Sequence, residues 1–331
     1  VTDHHQALNE IPDCEAVIDP SRHDDRYPFK QICGSTVAYK FLLALFVKRG
    51  VPVDFVNNLL DMVAVATVTD VMPLIDENRT ILKAGLELMN HEDARPFFQV
   101  IKNQFKLSKI EEGDIGFRIG PTLNALGRLR GNVDRAIDMM TYMPNSTEKD
   151  PTFETVRYMV SVNEERKDIT KDQALLASKL IGSDGTDDLI GNLIVVHPDF
   201  HEGIVGLIAG RLKEAYYKPA IVFKELTNGN YKGSARSISG FHIKKALDEV
   251  NRQNPDILIG YGGHPLAAGL TVRNGYMDEF KKLMEEIFFY TTTKETRQQV
   301  IKVDKFLSPK DINYRLVQAT NLLKPFGEGF P

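Results

Sequence analysis

"VTDHHQALNEIP", residues 1–12, sets an acid and two histidines directly behind two β-prone residues. A strand ending in Asp3, His4 and His5 would display ligands at its end, where open α/β sheets carry their sites. The same triplet could also arise by chance on a polar surface, so the surrounding pattern has to decide. Working outward, "EAVIDP" reads as a short strand closed by Pro20, and "RHDDRYPFK" as a polar loop. Gly34 and Ser35 then open an apolar helix to about Arg49, with Gly50 as its stop. Its run from Phe41 to Val47 predicts a buried helix. A second helix is expected around Phe55 to Val65, leading into "VATVTDVMPL", with amphipathic helices from Thr80 to Met89 and from Ala94 to Phe105. "FRIGPTLNALGRLRGN" is glycine-rich and basic, unlike its surroundings.

From about Thr152 to Ile181 the chain is polar and lacks Gly and Pro, with Val156, Val160, Leu175, Leu176 and Leu180 dotting one side. This predicts a long, exposed connecting helix, ended by "GSDGTDD". A new α/β pattern follows. "NLIVVHP", "PAIVF", "YKGSAR", "DILIGYGG" and "AAGLTV" read as strands or turns. Helices are expected over Gly203–Tyr217, "GFHIKKALDEV" and Met277–Phe288. "VIKVDKFL" alternates like an exposed strand.

With 331 residues the chain is long for one core, and 42% hydrophobic with 26% charged residues is ordinary for a globular protein. No apolar run approaches the ~18 residues of a membrane span. Two cysteines, Cys14 and Cys33, make no disulfide framework, so a reducing cytoplasm is the expected compartment, a single bridge being the alternative. A net charge of −4 excludes a global field that draws in nucleic acid. Any polyanion site must be local.

Four groups could carry chemistry. Carboxylate with imidazole at Asp3, His4 and His5 suits a borderline divalent ion such as Mn²⁺, Zn²⁺ or Fe²⁺. The candidate partner is Asp70, which by itself also reads as a turn or capping acid before Pro73. Asn124, Arg128 and Arg130 lie in the "GPTLNALGRLRGN" stretch, either a phosphate-gripping segment or a loop with a solvated basic face. "YKGSARSISGFHI" presents Ser234 and Arg236 ahead of a helix start, the elements of an anion site. His264 sits between Gly-Gly and Pro in "GYGGHPLAAG". His201 and Glu202 read as caps of the helix that follows them.

As an ordered set these motifs resemble the DHH phosphoesterase superfamily, and within it the RecJ-type single-stranded-DNA-specific exonucleases. "VTDHH" is similar to the name-giving metal motif, "VTDVMPL" to the last acidic motif, and "GSARS" with "GYGGHPLAAG" to the DHH-associated domain. "YPFKQICGSTVAYKF" and "GPTLNALGRL" resemble the RecJ type more than smaller members of the superfamily. The resemblance implies an α/β fold: a DHH domain with a parallel sheet over 1–150, a connecting helix over 151–182, a DHH-associated domain over 183–290, and the start of an oligonucleotide-binding-like (OB-like) β domain over 298–331. It implies metal ligation by His4 and Asp70, with Asp3 as a direct or outer ligand, and places His5 at the scissile phosphate. Asn124, Arg128, Ser234, Arg236 and His264 would grip substrate phosphates. The implied activity is 5′-to-3′ hydrolysis of single-stranded DNA to mononucleotides with two Mn²⁺ (or Mg²⁺) ions, in DNA repair and recombination. A helicase and a single-strand-binding protein are the implied partners.

Relatives carry further acidic motifs ahead of the DHH triplet, so the chain reads as a fragment with part of the metal site, expected to bind Mn²⁺ weakly and to hydrolyse little. Thr122 stands where relatives often have arginine, a departure that puts one phosphate contact in doubt or hands it to Arg130. Two other classes fit the motifs less well: a phosphoesterase of dinucleotides or cyclic dinucleotides, and a non-catalytic DNA-binding relative.

Overall fold

In the computed structural model, which describes residues 1–5, 11–142, 150–183, 191–301 and 303–331, Thr2 and Ile18 form an isolated parallel bridge. This bridge is the only trace, among the described residues, of the parallel sheet expected in the first half. Helices build the rest of that half: α1 (Gly34–Arg49), α2 (Asp54–Asn57), α3 (Leu60–Thr69), α4 (Asp76–Asn90) and α5 (Pro96–Phe105). A short α6 (Glu112–Asp114) runs into a π-helical turn, Ile115–Ile119, and on into α7 (Gly120–Arg130) and α8 (Asp134–Thr141). The chain divides into two units, 1–163 with 306–331, and 164–305. The second is therefore an insertion in the first.

α1 begins and ends where the sequence places it, with Gly50 in the left-handed region at φ 65° and its N–H donating to Val47 O. Its burial differs from expectation. Thr36 and Val37 are its buried residues, whereas Phe41 and Val47 are 46% and 66% exposed. α1 packs on α2 and α3 along one side, so a helix apolar all round leaves its other side in solvent. The helix expected over Phe55–Val65 is broken at Asn58 and Leu59 into α2 and α3. "GPTLNALGRLR" is helix α7, not a loop. The core of the unit joins Leu82, Met89, Phe98, Ile101, Ile115 and Ile119.

α9 (Thr152–Ser183) is continuous, as its composition predicts. Its first turns are core, not solvated: Val156, Met159 and Val162 are buried against the helices of the first unit. Most of "GSDGTDD" lies outside the described residues. The second unit contains β1 (Leu193–His197), α10 (Val205–Tyr216), β2 (Ala220–Glu225), β3 (Tyr231–Arg236), α11 (Ile243–Gln253), β4 (Leu258–His264), β5 (Ala267–Val272) and α12 (Met277–Thr291). They form an open mixed sheet, ordered β1-β2-β3-β5-β4, with β1 and β2 parallel and the other pairs antiparallel. Ile221, Phe223 and Ala235 face α11 and α12, where Phe223 meets Phe280 edge-on at 5.7 Å. Residues of the alternate parity, Val222, Ser234 and Arg236, turn to the other face, and α10 packs on β2 and β3.

The described residues of "VIKVDKFL" form no strand. A two-residue period makes a strand only where a partner supplies the ladder. Residues 306–331, expected to open a β domain, group with the first unit as α13 (Tyr314–Asn321) and a closing turn bridged at Gly327 and Phe330. Cys14 and Cys33 are both free thiols.

Within the first unit Asp61, 3% exposed, accepts from Arg95 Nε at 2.7 Å and from the Met62 amide at 2.7 Å. Burial pushes its carboxyl up, and Arg95 opposes that shift. Arg95→Ala would leave an uncompensated buried acid and is expected to destabilise the unit by about 3 kcal/mol. Because a carboxyl with a raised pKa is tolerated when protonated, stability of the variant should fall as pH rises from about 5 to 8. Chemical denaturation at both pH values checks the size and the sign.

Candidate functional site

The bridge that holds Thr2 sets the direction of the next three side chains. Asp3 N–H donates to Ile18 O at 3.0 Å, and Ile18 N–H to Val1 O at 2.9 Å. Asp3 Oδ1 accepts from His5 Nδ1 at 2.7 Å and from the amides of His4 and His5 at 2.7 and 3.2 Å. These bonds, the one from the His5 ring foremost, hold the Asp3 carboxyl down at about 2. Asp3 is therefore an anion throughout the neutral range. Ser21 Oγ donates to His4 O at 3.0 Å, and Asp19 ties the same turn by accepting from the Ser21 amide at 2.8 Å.

The His4 ring lies 4.5 Å from that of His5, with its Nε2 standing 3.4 Å from Asp70 Oδ2. Asp70 caps the C-terminus of α3, where Val71 takes a left-handed φ of 56°. The chain thus brings together residues 66 positions apart, and Asp70 does not act as a helix N-cap. The His4 ring also meets the start of α1, since a Cβ on Gly34 would lie 3.4 Å from its Cδ2. A 16-residue helix directs its positive end there.

The donor set fits a divalent ion. Ligand atoms of Asp3, His4 and His5 lie within 4.8 Å of one another. Two donors each ~2.1 Å from one ion are ~3–3.5 Å apart, as His4 and Asp70 are. A mixed carboxylate and imidazole set favours Mn²⁺ or a similar borderline ion over Ca²⁺.

Asn124 and Arg128 stand one turn apart on α7 and share a side of it. The start of α7 lies against the end of α3, where a Cβ on Gly120 would meet Thr69 Cγ2 at 2.2 Å. Arg128 is half-buried, and burial lowers its pKa. Thr122 is buried, donates to Arg118 O at 2.7 Å and accepts from Asn163 Nδ2 at 3.2 Å. Its place is in the core, so it touches no ligand, and Arg130 is exposed at the end of the helix.

In the second unit the sheet register groups the remaining candidates. Arg236 pairs with Ala267, and Ala267 with His264, so Arg236 and His264 share one face two strands apart. Arg236 Nη1 donates to Ser234 Oγ at 3.0 Å and to Ala235 O at 2.8 Å. The helix they face is α10, not α11. A Cβ on Gly206, in the first turn of α10, would lie 3.0 Å from Ser234 Oγ and 3.1 Å from Arg236 Nη2. α11 is capped on its own by His242, whose ring accepts from the Lys245 amide at 3.3 Å. Sequence reasoning missed Gly206, although "GIVGLIAG" spaces small residues by three and four. Neither His201 nor Glu202 caps α10 with its side chain, its N-cap being Ile204: the His201 ring accepts from the Gly203 amide at 3.1 Å in the turn before the helix, and Glu202 forms an ion pair with Lys232.

Residues 190–289 match the family model of the DHHA1 domain. Over its whole length the chain is 32% identical to the single-stranded-DNA-specific exonuclease RecJ of Salmonella typhimurium, covering 59% of that protein. It spans, that is, about three fifths of this relative's length. Among solved structures it is similar to RecJ of Thermus thermophilus in complex with Mn²⁺, with a TM-score of 0.83 and 25% identity, covering all of this chain and 46% of the other. The Mg²⁺ complex of the same protein gives a TM-score of 0.79 at 25% identity, over 95% of this chain and 47% of that one.

Gly206→Val would push a branched side chain between α10 and the Ser234–Arg236 pair. It is expected to leave the thermal midpoint within a few degrees while weakening phosphate or oligonucleotide binding by about tenfold, a loss of ~1.4 kcal/mol. Calorimetric titration beside a melting curve checks both.

Proposed function

We propose, from a chain homologous along its entire length to RecJ proteins, that it is the catalytic portion of an exonuclease that removes mononucleotides from the 5′ end of single-stranded DNA. The observation that carries the reading is the approach of His4 Nε2 to Asp70 Oδ2, 3.4 Å, with His4 also in the ligand cluster of Asp3 and His5. Metal complexes of the Thermus relative with Mn²⁺ and Mg²⁺ support a divalent cofactor. His4 and Asp70 would hold it, with Asp3 as a direct or outer ligand. When bound, a pair of such ions supplies Lewis acidity to the attacking and leaving oxygens.

The chain's own residues do the rest. Asp3 fixes the His5 ring through Nδ1, which leaves that ring oriented to meet the scissile phosphate. The positive end of α1 beside His4 favours phosphate at the same place. Asn124 and Arg128 on α7 would contact the strand being cut. Ser234, Arg236 and His264 form a separate phosphate-binding row on the second unit, with the guanidinium matched to two phosphate oxygens. The role is DNA repair and recombination in the cytoplasm, alongside a helicase and a single-strand-binding protein. Among the described residues no helix is long and apolar enough to cross a membrane.

The test uses this chain and a form lengthened upstream, each with Mn²⁺ and a 5′-phosphorylated single strand labelled at its 3′ end. Stepwise shortening of the single strand by the lengthened form, with little by this chain and with duplex and dinucleotide spared, is the expected result. Cleavage of the dinucleotide alone would move the protein to the small phosphoesterases. DNA binding without cleavage of either would leave a binding-only relative. Arg236→Ala should weaken single-strand binding and reduce the slope of log affinity against log salt by ~0.7.

A further inference from the structure

Asp70 is displayed by a turn held only in part from within, where Asn78 Nδ2 donates to Pro73 O at 3.0 Å. α3 ends at Thr69, and Val71, a β-branched residue, is held at φ 56°, a left-handed conformation that such side chains avoid. Asp76 at the far end of the turn also has a positive φ, 48°. Within the turn the Val71 and Met72 amides donate back to Val68 O and Thr67 O, each at 3.1 Å. A strained turn persists only where its surroundings over-determine it.

Asn78 Nδ2 also ties the turn to Gln31 O at 2.7 Å, and the larger share of its surroundings comes from the other end of the chain. Leu74 N–H donates to Glu328 O at 2.7 Å. Gly327 lies so close to the Leu74 side chain that a Cβ would come within 2.4 Å of Leu74 Cδ1, and Gly329 approaches Pro73 in the same way. Arg79, at the start of α4, donates to Pro325 O at 2.6 Å and to Leu323 O and Lys324 O, and its guanidinium lies 4.3 Å from the Phe330 ring centroid. Glu112 Oε1 accepts from the Phe326 amide at 2.9 Å, and Glu111 pairs with Lys324 at 3.0 Å. Residues 323–330 thus grip the turn from Pro73 to Arg79 by backbone, apolar and cationic contacts.

The geometry points to residues 323–330 as a clamp that positions Asp70 for the divalent ion, with Arg79 as its anchor and Gly327 as the point of close approach. Arg79 and Gly327 touch neither metal nor substrate. They are positioning residues, and they act through the turn that follows Asp70. This rests on the reading of Asp70 as a metal ligand.

Mn²⁺ binding by calorimetry on the full chain tests it, beside hydrogen exchange at the Val71, Met72 and Leu74 amides. Arg79→Ala and Gly327→Val are each expected to weaken Mn²⁺ binding by about tenfold, as groups behind a ligand do. They should also speed exchange at those three amides while leaving α5 amides unchanged. Arg79→Lys, which keeps a donor to the carbonyls, should recover most of the affinity. In an Asp70→Asn background Arg79→Ala should cost nothing further, because coupled positions are not additive. Equal losses with and without Asp70 would overturn the clamp, as would variants that keep wild-type affinity and exchange. Asp70→Asn binding Mn²⁺ like the wild type would instead remove the metal reading, and the clamp's purpose with it.

Discussion

Two backbone hydrogen bonds, between Asp3 and Ile18 and between Ile18 and Val1, govern the geometry of the candidate metal site. They fix which way the strand faces at Thr2, and so which way each of the next three side chains turns. A slip of one residue would exchange the faces of the strand. His4 would then turn away from Asp70, although the bonds of Asp3 to His4 and His5, being local, would survive. A strand in the middle of a sheet is registered from both sides, whereas among the described residues this one is registered by a single bridge. The Ser21 hydroxyl on His4 O and the packing of His4 against Gly34 add further restraints at the same point.

The second unit meets the same need with more structure. Strand ladders register Ser234, Arg236 and His264, the β4–β5 ladder with an irregularity between Leu258 and Gly260. The side chains are then shaped by what packs on them. Arg236 is spread against the first turn of α10 because Gly206 leaves room there. Arginine held by Ser234 and by its neighbour's carbonyl has fewer rotamers to lose when it meets an anion.

Element boundaries were legible wherever local chemistry decides them. Gly34 to Gly50 is the clearest case, with an apolar run and a glycine stop, and the strands of the second unit follow from their β-branched composition and turn residues. What failed was whatever tertiary contact decides. Glycines at 120 and 127 suggested a loop, yet they sit in a helix, Gly120 against Thr69. "VIKVDKFL" has the period of a strand, but its described residues pair with no other strand. The polar start of α9 hides Val156, Met159 and Val162 in a core whose other members lie up to about a hundred residues upstream. For the site, the ligand types and the Ser234–Arg236 pair could be read from the chain. That His4 meets Asp70 came only from resemblance, since 66 residues of helix and turn separate them. That the Ser234–Arg236 pair faces α10 rather than α11 could not be read, because the helix nearest in sequence is not the one nearest in space.

The docking of residues 323–330 on the turn after Asp70 also orders events during synthesis. Arg79 leaves the ribosome ~240 residues before the carbonyls it grips, or ~10–50 s earlier at ordinary elongation rates. The inserted unit, with its local βα connections, emerges complete within that interval. The nascent first unit must therefore wait with a half-built ligand turn while its insertion folds. A newly made chain passes through a period in which the sheet carrying Ser234 and Arg236 exists before the Asp70 turn has its backing.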